Sequence, residues 1–280
     1  FFMLDISDSE LALLLAKVSG SERDSELGFF SKPFRLKFKE KELIIKKYFP
    51  VRDDKTVNYI IRNHDSYVGE LMSLGIRIPE TVIKAVQSKR KHQIIIIQEA
   101  FKKEEMLRYL MERSSENEML GLCRLIFDET LKFRNNRKNT AEIGFHPTLR
   151  NYALHNGSLW YFDTFPPMLM NQRELNRIII RMSPFGRLIK NLIPPGFIDI
   201  VSDEYFSFIK MFKGIVGSCC RLRSEYAGSI LSFSMEYIRS AECDQEEKQK
   251  IIEILQSPPR LPGIWTFFRK LSGNTGKPNI

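Results

Sequence analysis

The feature that most limits what this chain can become is a change of hydrophobic period near Glu99. Before it, apolar residues fall in short, β-branched, alternating runs such as "RLKFKEKELIIKKYF" and "QIIIIQ", the two-residue period of strands over a core. After it, they recur every three or four residues in "KEEMLRYLMER" and "ENEMLGLCRLIFDETLKFRNN", the period of amphipathic helices. With 280 residues the chain is long enough for one large domain or two modest ones sharing an interface. The pattern predicts an α+β fold, β-rich first and helical second.

The individual elements follow from their punctuation. "ISDSELALLLAKV" carries a Ser or Asp cap before a helical apolar stripe, which predicts a helix from Ser7 or Asp8 to Lys17. From Leu27, "LGFFSKPFRLKFKEKELIIKKYF" predicts three short strands with turns near residues 31–33 and 39–41. Asp53 or Asp54 then caps an amphipathic helix that stops at Gly75. "IRIPETVIKAV" and "QIIIIQEAF" predict two further strands. Beyond the two helices after Glu99, "ALHNGSLWYF" predicts a hairpin on the Asn156-Gly157 turn. The helical pattern returns in "QRELNRIIIRM", "DEYFSFIKMFKGIVGSCCRL", "SEYAGSILSFSMEYIRSA" and "EEKQKIIEILQS".

Composition removes several functional classes. Apolar runs such as residues 94–97 fall far short of the roughly 20 residues a membrane helix needs, and a cytoplasmic location is the default expectation. Cys123, Cys219, Cys220 and Cys243 have neither zinc-site spacing nor disulfide density, and are expected to be free thiols. A net charge of +9 favours anionic partners such as nucleotides or phosphorylated small molecules. The basic clusters "SKRKH" and "RNNRK" are expected to be solvated loops. "GIWTFFRKL", with Trp265, Phe267 and Phe268 beside Arg269 and Lys270, supports a weaker reading as a surface for nucleic acid or anionic membrane, with nucleic acid the less expected.

A small β-rich half with one helix between its third and fourth strands, joined to a helical half, resembles the two-lobed protein-kinase-like fold. Within it the chain looks most like the aminoglycoside and choline phosphotransferase branch. "LGIRIP" after the first large helix is similar to that branch's "GIPVP", "YFD" resembles its "IDF", and no A-P-E segment follows. The resemblance covers about residues 27–167 and is one of layout and spacing. It implies a nucleotide-binding lobe over 1–98 and a mainly helical lobe over 99–280, with the hairpin and substrate region in the second.

The same resemblance assigns roles. Lys46, with Lys47 as the alternative one residue out of register, contacts nucleotide phosphates, and its helix partner should be Asp65 or Glu70, with His64 and Tyr67 competing for that inward face. The glycine-rich phosphate loop is reduced to Gly28, which leaves Ser31 and Lys32 to hold phosphate by side chain. Residues 98–101, including Glu99, form the interlobe connection whose backbone meets the adenine ring of ATP. Asn151 and Asp163 hold Mg²⁺, a hard ion that needs only one or two protein oxygens beside the phosphates. His146 stands five residues before Asn151, where the family has the aspartate that accepts the substrate proton. A neutral imidazole can accept a proton near pH 7. The implied function is phosphoryl transfer from ATP to a small-molecule hydroxyl. Its alternative is a pseudokinase that binds without turnover and engages a protein partner.

Overall fold

The computed structural model describes residues 4–18, 31–48, 50–88, 91–137, 142–169, 178 and 204–259. Helix α1 (Asp8–Val18) precedes strands β1 (Lys32–Phe38) and β2 (Lys41–Lys47). Helix α2 (Asp54–Ser73) is followed by β3 (Thr81–Ser88) and β4 (Lys91–Glu99). Then come α3 (Leu107–Arg113), α4 (Glu116–Asn136), the hairpin β5 (Tyr152–His155) and β6 (Ser158–Tyr161), and helices α5 (Phe208–Leu222), α6 (Ala227–Ser240) and α7 (Gln245–Ile254).

The four strands form one antiparallel sheet in the order β1-β2-β4-β3. The architecture is therefore α+β, with an antiparallel sheet and one helix between its strands, then a mainly helical part, a layout compatible with the protein-kinase-like fold. The first of the three strands expected after Leu27 falls outside the described residues. The turn expected at residues 31–33 is replaced by strand at its last two positions, because Lys32 and Pro33 pair with Lys47 and Lys46. A proline has no N–H to give a ladder, and β1 is an edge strand where that loss is harmless.

Each face of the sheet has its own core. Leu43, Ile45, Val82, Ile95 and Ile97 point to one side and are covered by Ile6, Leu11, Leu14 and Val18 at and around α1. Ile83, Ile94 and Ile96 point to the other, where Val57, Ile60, Tyr67 and Leu71 of α2 join a continuous core running into the helical lobe. Asp53 caps α2 by accepting from the Thr56 amide at 2.8 Å, and Gly75 ends it with φ +85°, a left-handed conformation suited to glycine.

The helical lobe is built around Phe127, Phe133, Phe145 and Phe212, all buried. Cys123, Cys219 and Cys220 lie in the same core, and all four cysteines are free. Residues 89–90 of the first basic cluster and 138 of the second lie outside the described residues, and the described remainder belongs to regular elements or their ends. Lys91 and His92 open β4, while Arg134 lies in the last turn of α4, bonded to Glu247 at 2.7 Å. Asn136 donates to the Leu74 carbonyl at 3.0 Å and Arg137 to that of Phe206 at 3.0 Å. These side chains satisfy carbonyls at element ends, which holds them against the protein. Among the described residues no helix is long and apolar enough to cross a membrane. The expected helix in "QRELNRIIIRM" and the aromatic-basic segment near Trp265 lie outside the described residues.

Candidate functional site between sheet and hairpin

The hairpin is the best-formed part of the site, and its turn explains why. Asn156 and Gly157 have φ of +50° and +71°, the pair of left-handed residues that a two-residue type I′ turn requires. Tyr152 pairs with Tyr161, and the ladder continues as the Phe162 amide donates to the Asn151 carbonyl at 3.1 Å. Asn151 and Asp163, twelve residues apart in sequence, thereby become neighbours across a ladder end.

Their side chains meet. Asn151 is buried, and its Nδ2 donates to Asp163 Oδ2 at 2.9 Å and to the His146 carbonyl at 3.0 Å. His146 Nδ1 lies 3.5 Å from the same Asp163 Oδ2. The His146 carbonyl also accepts from the Thr148 amide at 2.9 Å, closing a tight turn. Before it, Phe145 stacks on Phe133 with centroids 4.6 Å apart, and its amide donates to the Tyr205 carbonyl at 2.7 Å. A Cβ on Gly144 would approach Met168 and Phe206 to 3.1 Å. The backbone leading to His146 is thus clamped by packing on both sides.

Lys46 comes from the sheet. It half-emerges from β2 with its amine donating to the Phe162 carbonyl at 2.7 Å and lying 5.5 Å from the Phe162 ring centroid. Burial pushes its pKa down to about 8, against the attraction of Asp163. Asp163 shows the opposite balance. It keeps a third of its side-chain surface open. Burial, the largest single influence, raises it, yet the His146 hydrogen bond and the charges of His146, Lys46 and Arg150 together hold it below the usual aspartate range.

Lys46 and Lys47 divide between the two sides of the sheet. Lys47 lies 5.6 Å from the Phe34 ring. No ion pair joins Lys46 to Asp65 or Glu70 among the described residues. Asp65 is half exposed, and the α2 side chains that face inward are His64 and Tyr67, both buried. His64 Nε2 is 3.0 Å from Thr164 Oγ1, and burial lowers its pKa, so the ring is neutral.

The remaining expected residues are scattered. Ser31 reaches the Tyr48 hydroxyl, which also feels Asp163, so it borders the site. The Lys32 side chain lies outside the described residues. Glu99 is exposed at the end of β4, and its amide donates to the Glu80 carbonyl at 3.0 Å. Two neighbours had no signal in the sequence. Tyr205 packs edge-on against His146 with centroids 4.8 Å apart, and Glu204, whose burial raises its pKa, interacts with His146. They come from a segment some 60 residues away, with nothing in their spacing to announce them. Arg150, beside Asn151, could have been noticed by adjacency.

Asp163 carries a carboxylate and Asn151 an amide, residue types whose hard oxygens Mg²⁺ takes, and in this arrangement it is Asn151 Nδ2 that faces Asp163. The donor set fits that ion.

No curated protein matches this chain. A solved structure, WaaP in complex with acyl carrier protein, is similar at 13% identity over 89% of this chain and 99% of that one, with a TM-score of 0.38, too slight a likeness to inform the site. Residues 14–276 match a family described as a family of unknown function (DUF6206), and the chain belongs to that family.

Proposed function

We propose that this protein is a kinase-like phosphotransferase that binds ATP and Mg²⁺ between its two lobes and transfers phosphate to a hydroxyl of a small molecule, in the manner of the aminoglycoside and choline phosphotransferase branch. The observation that carries the reading is the convergence of Asp163, Asn151, His146 and Lys46, drawn from three separate segments of the chain. Residues 1–98 contribute the lysine and 99–280 the rest.

Each side chain has a role suited to its surroundings. Asp163 and Asn151 would hold Mg²⁺, which neutralises charge on the phosphates. Lys46, retained as a cation by Asp163, faces the same phosphates. Ser31 and Lys32 are the side chains proposed to steady them, and Glu99 lies in the connection beside the nucleotide. His146, with one ring nitrogen turned to Asp163, offers the other to the acceptor hydroxyl as proton acceptor or positioning group. Phosphoryl transfer through a loose transition state depends more on placement and charge neutralisation than on a strong base, so an imidazole suffices.

ATP with Mg²⁺ at millimolar concentration is expected to raise the melting temperature, and ATP with EDTA to raise it less. No shift under either condition would sink the proposal. A second reading, a pseudokinase that engages a protein partner, draws on the histidine in the aspartate's place and on the missing acid partner for Lys46. Phosphoryl transfer or ATP hydrolysis by the wild type, lost in Asn151→Ala, would remove that alternative.

A further inference from the structure

The interlobe connection is where the resemblance expects a purine to be read, and its Glu99 and Ala100 amides and its Phe101 carbonyl are already bonded within the protein. The Glu99 amide donates to the Glu80 carbonyl at 3.0 Å and the Ala100 amide to the Glu42 carbonyl at 2.9 Å. The Lys102 amide donates to Glu105 Oε2 at 2.7 Å. The Phe101 carbonyl accepts from Arg35 Nη2 at 2.6 Å, while Arg35 Nη1 holds Glu42 at 2.8 Å. Arg35 is therefore fixed by a carboxylate while its second nitrogen covers the carbonyl.

The space beside the connection agrees with this. A groove of about 310 Å³ there is lined by Arg35, Glu42, Lys102, Lys103, Glu104 and Met106. Among the described residues lining it, Met106 is the one apolar side chain, whereas sites that grip a flat heterocycle are lined mainly by apolar and aromatic groups.

Base selectivity needs groups that tell the base edges apart. Adenine and cytosine present an amine where guanine and uracil present a carbonyl oxygen, so an open backbone carbonyl accepts from the first pair and opposes the second. Here that carbonyl carries a guanidinium.

We infer that this protein takes nucleoside triphosphates without regard to the base, binding them through the phosphates at Lys46, Asn151 and Asp163, with Arg35 as the residue that removes base readout. The inference rests on the proposed nucleotide site. It makes the phosphate chain, rather than adenosine, the recognised part of the donor. A site built to hydrogen-bond one group rejects the analogue that lacks it by orders of magnitude, and a site without such groups does not.

The test is binding, by calorimetry on the full chain with Mg²⁺, of ATP, GTP, CTP, UTP and inorganic tripolyphosphate. All five are expected to fall within about threefold of one another, which is under 1 kcal/mol. A preference for ATP over GTP and UTP of about tenfold or more, roughly 1.4 kcal/mol, overturns the inference while leaving the nucleotide site intact. Binding of none of the five overturns the site itself and the inference with it. Arg35→Leu, which uncovers the Phe101 carbonyl, is expected to create a preference for ATP and CTP over GTP and UTP. Glu42→Gln, which leaves the guanidinium on the carbonyl, is expected to create none. An Arg35→Leu protein that still ignores the base overturns the role given to Arg35.

Discussion

The two sides of the proposed site, hairpin wall and sheet wall, use their polar groups in opposite ways. On the hairpin side, Asn151 and Asp163 are aligned by backbone pairing and bonded mainly to each other and to His146, with Asn151 Nδ2 donating to both. On the sheet wall, Lys46 donates to the Phe162 carbonyl, Arg35 to the Phe101 carbonyl, and His64 contacts Thr164. One side is bonded largely within itself, and the other bonds across to distant segments. The difference teaches that the hairpin side is set by local pairing and the sheet side by contacts far apart in the chain.

The sharpest way to break this comparison is to remove the hairpin wall's carboxylate. Asp163→Ala takes away the carboxylate that Asn151 and His146 contact and leaves Lys46 without its compensating charge. Affinity for nucleotide with Mg²⁺ is expected to fall by about 100-fold, near 2.7 kcal/mol, as read by calorimetry. A fall of less than about threefold would place recognition elsewhere in the molecule.

The next largest effect concerns the sheet wall's lysine and has a definite sign in pH. In the folded protein burial brings the Lys46 pKa to about 8, whereas an unfolded lysine titrates near its ordinary value of 10.5. Between those values the unfolded chain binds more protons, so stability rises with pH across that window. Lys46→Met is expected to abolish the rise in urea unfolding measured from pH 8 to 10. Below pH 8 the same variant should be no less stable than the wild type, because a buried ammonium is costly to desolvate. Asp163 runs the other way. Its depressed carboxyl contributes stability above the ordinary aspartate range, and that stability is lost as pH falls through the folded value.

How much of this was legible in the sequence differs between the same two walls. The hairpin, with its Asn-Gly turn and the positions of Asn151 and Asp163, could be read because a two-residue turn fixes register, and register fixes which residues become neighbours. α2 was legible from its cap, stripe and terminal glycine. The inward face of α2 was not, since Asp65 and His64 are adjacent and a helix can turn either toward the cleft by a rotation of about 100° per residue. Packing of His64 against Thr164, a hundred residues later, settles that rotation. Arg35 reads in sequence as one more charge on an alternating strand. Its hold on Phe101 depends on a contact 66 residues away, and Glu204 and Tyr205 beside His146 are equally remote. Local periodicity carries no information about such distant contacts.

The smallest expected effect tests whether the sheet wall has been assigned the right residue at all. Lys46 and Lys47 are consecutive on β2, and neighbours on a strand point to opposite faces, so only one of them can face the hairpin. The ladder pairs Lys46 with Ile96 and Lys47 with Ile95, and Ile96 belongs to the core shared with α2 while Ile95 belongs to the core under α1. Lys47 lies over Phe34 on the far face, where a cation and a ring contribute about 0.5 kcal/mol at a partly exposed site. Lys47→Ala should therefore lower stability by roughly that amount and leave nucleotide binding unchanged, while Lys46→Ala should weaken binding about tenfold. The reverse order, with Lys47→Ala the more damaging to nucleotide binding, would mean that the functional register of β2 is shifted by one residue, and the contrast between the two walls would fail at its sheet side.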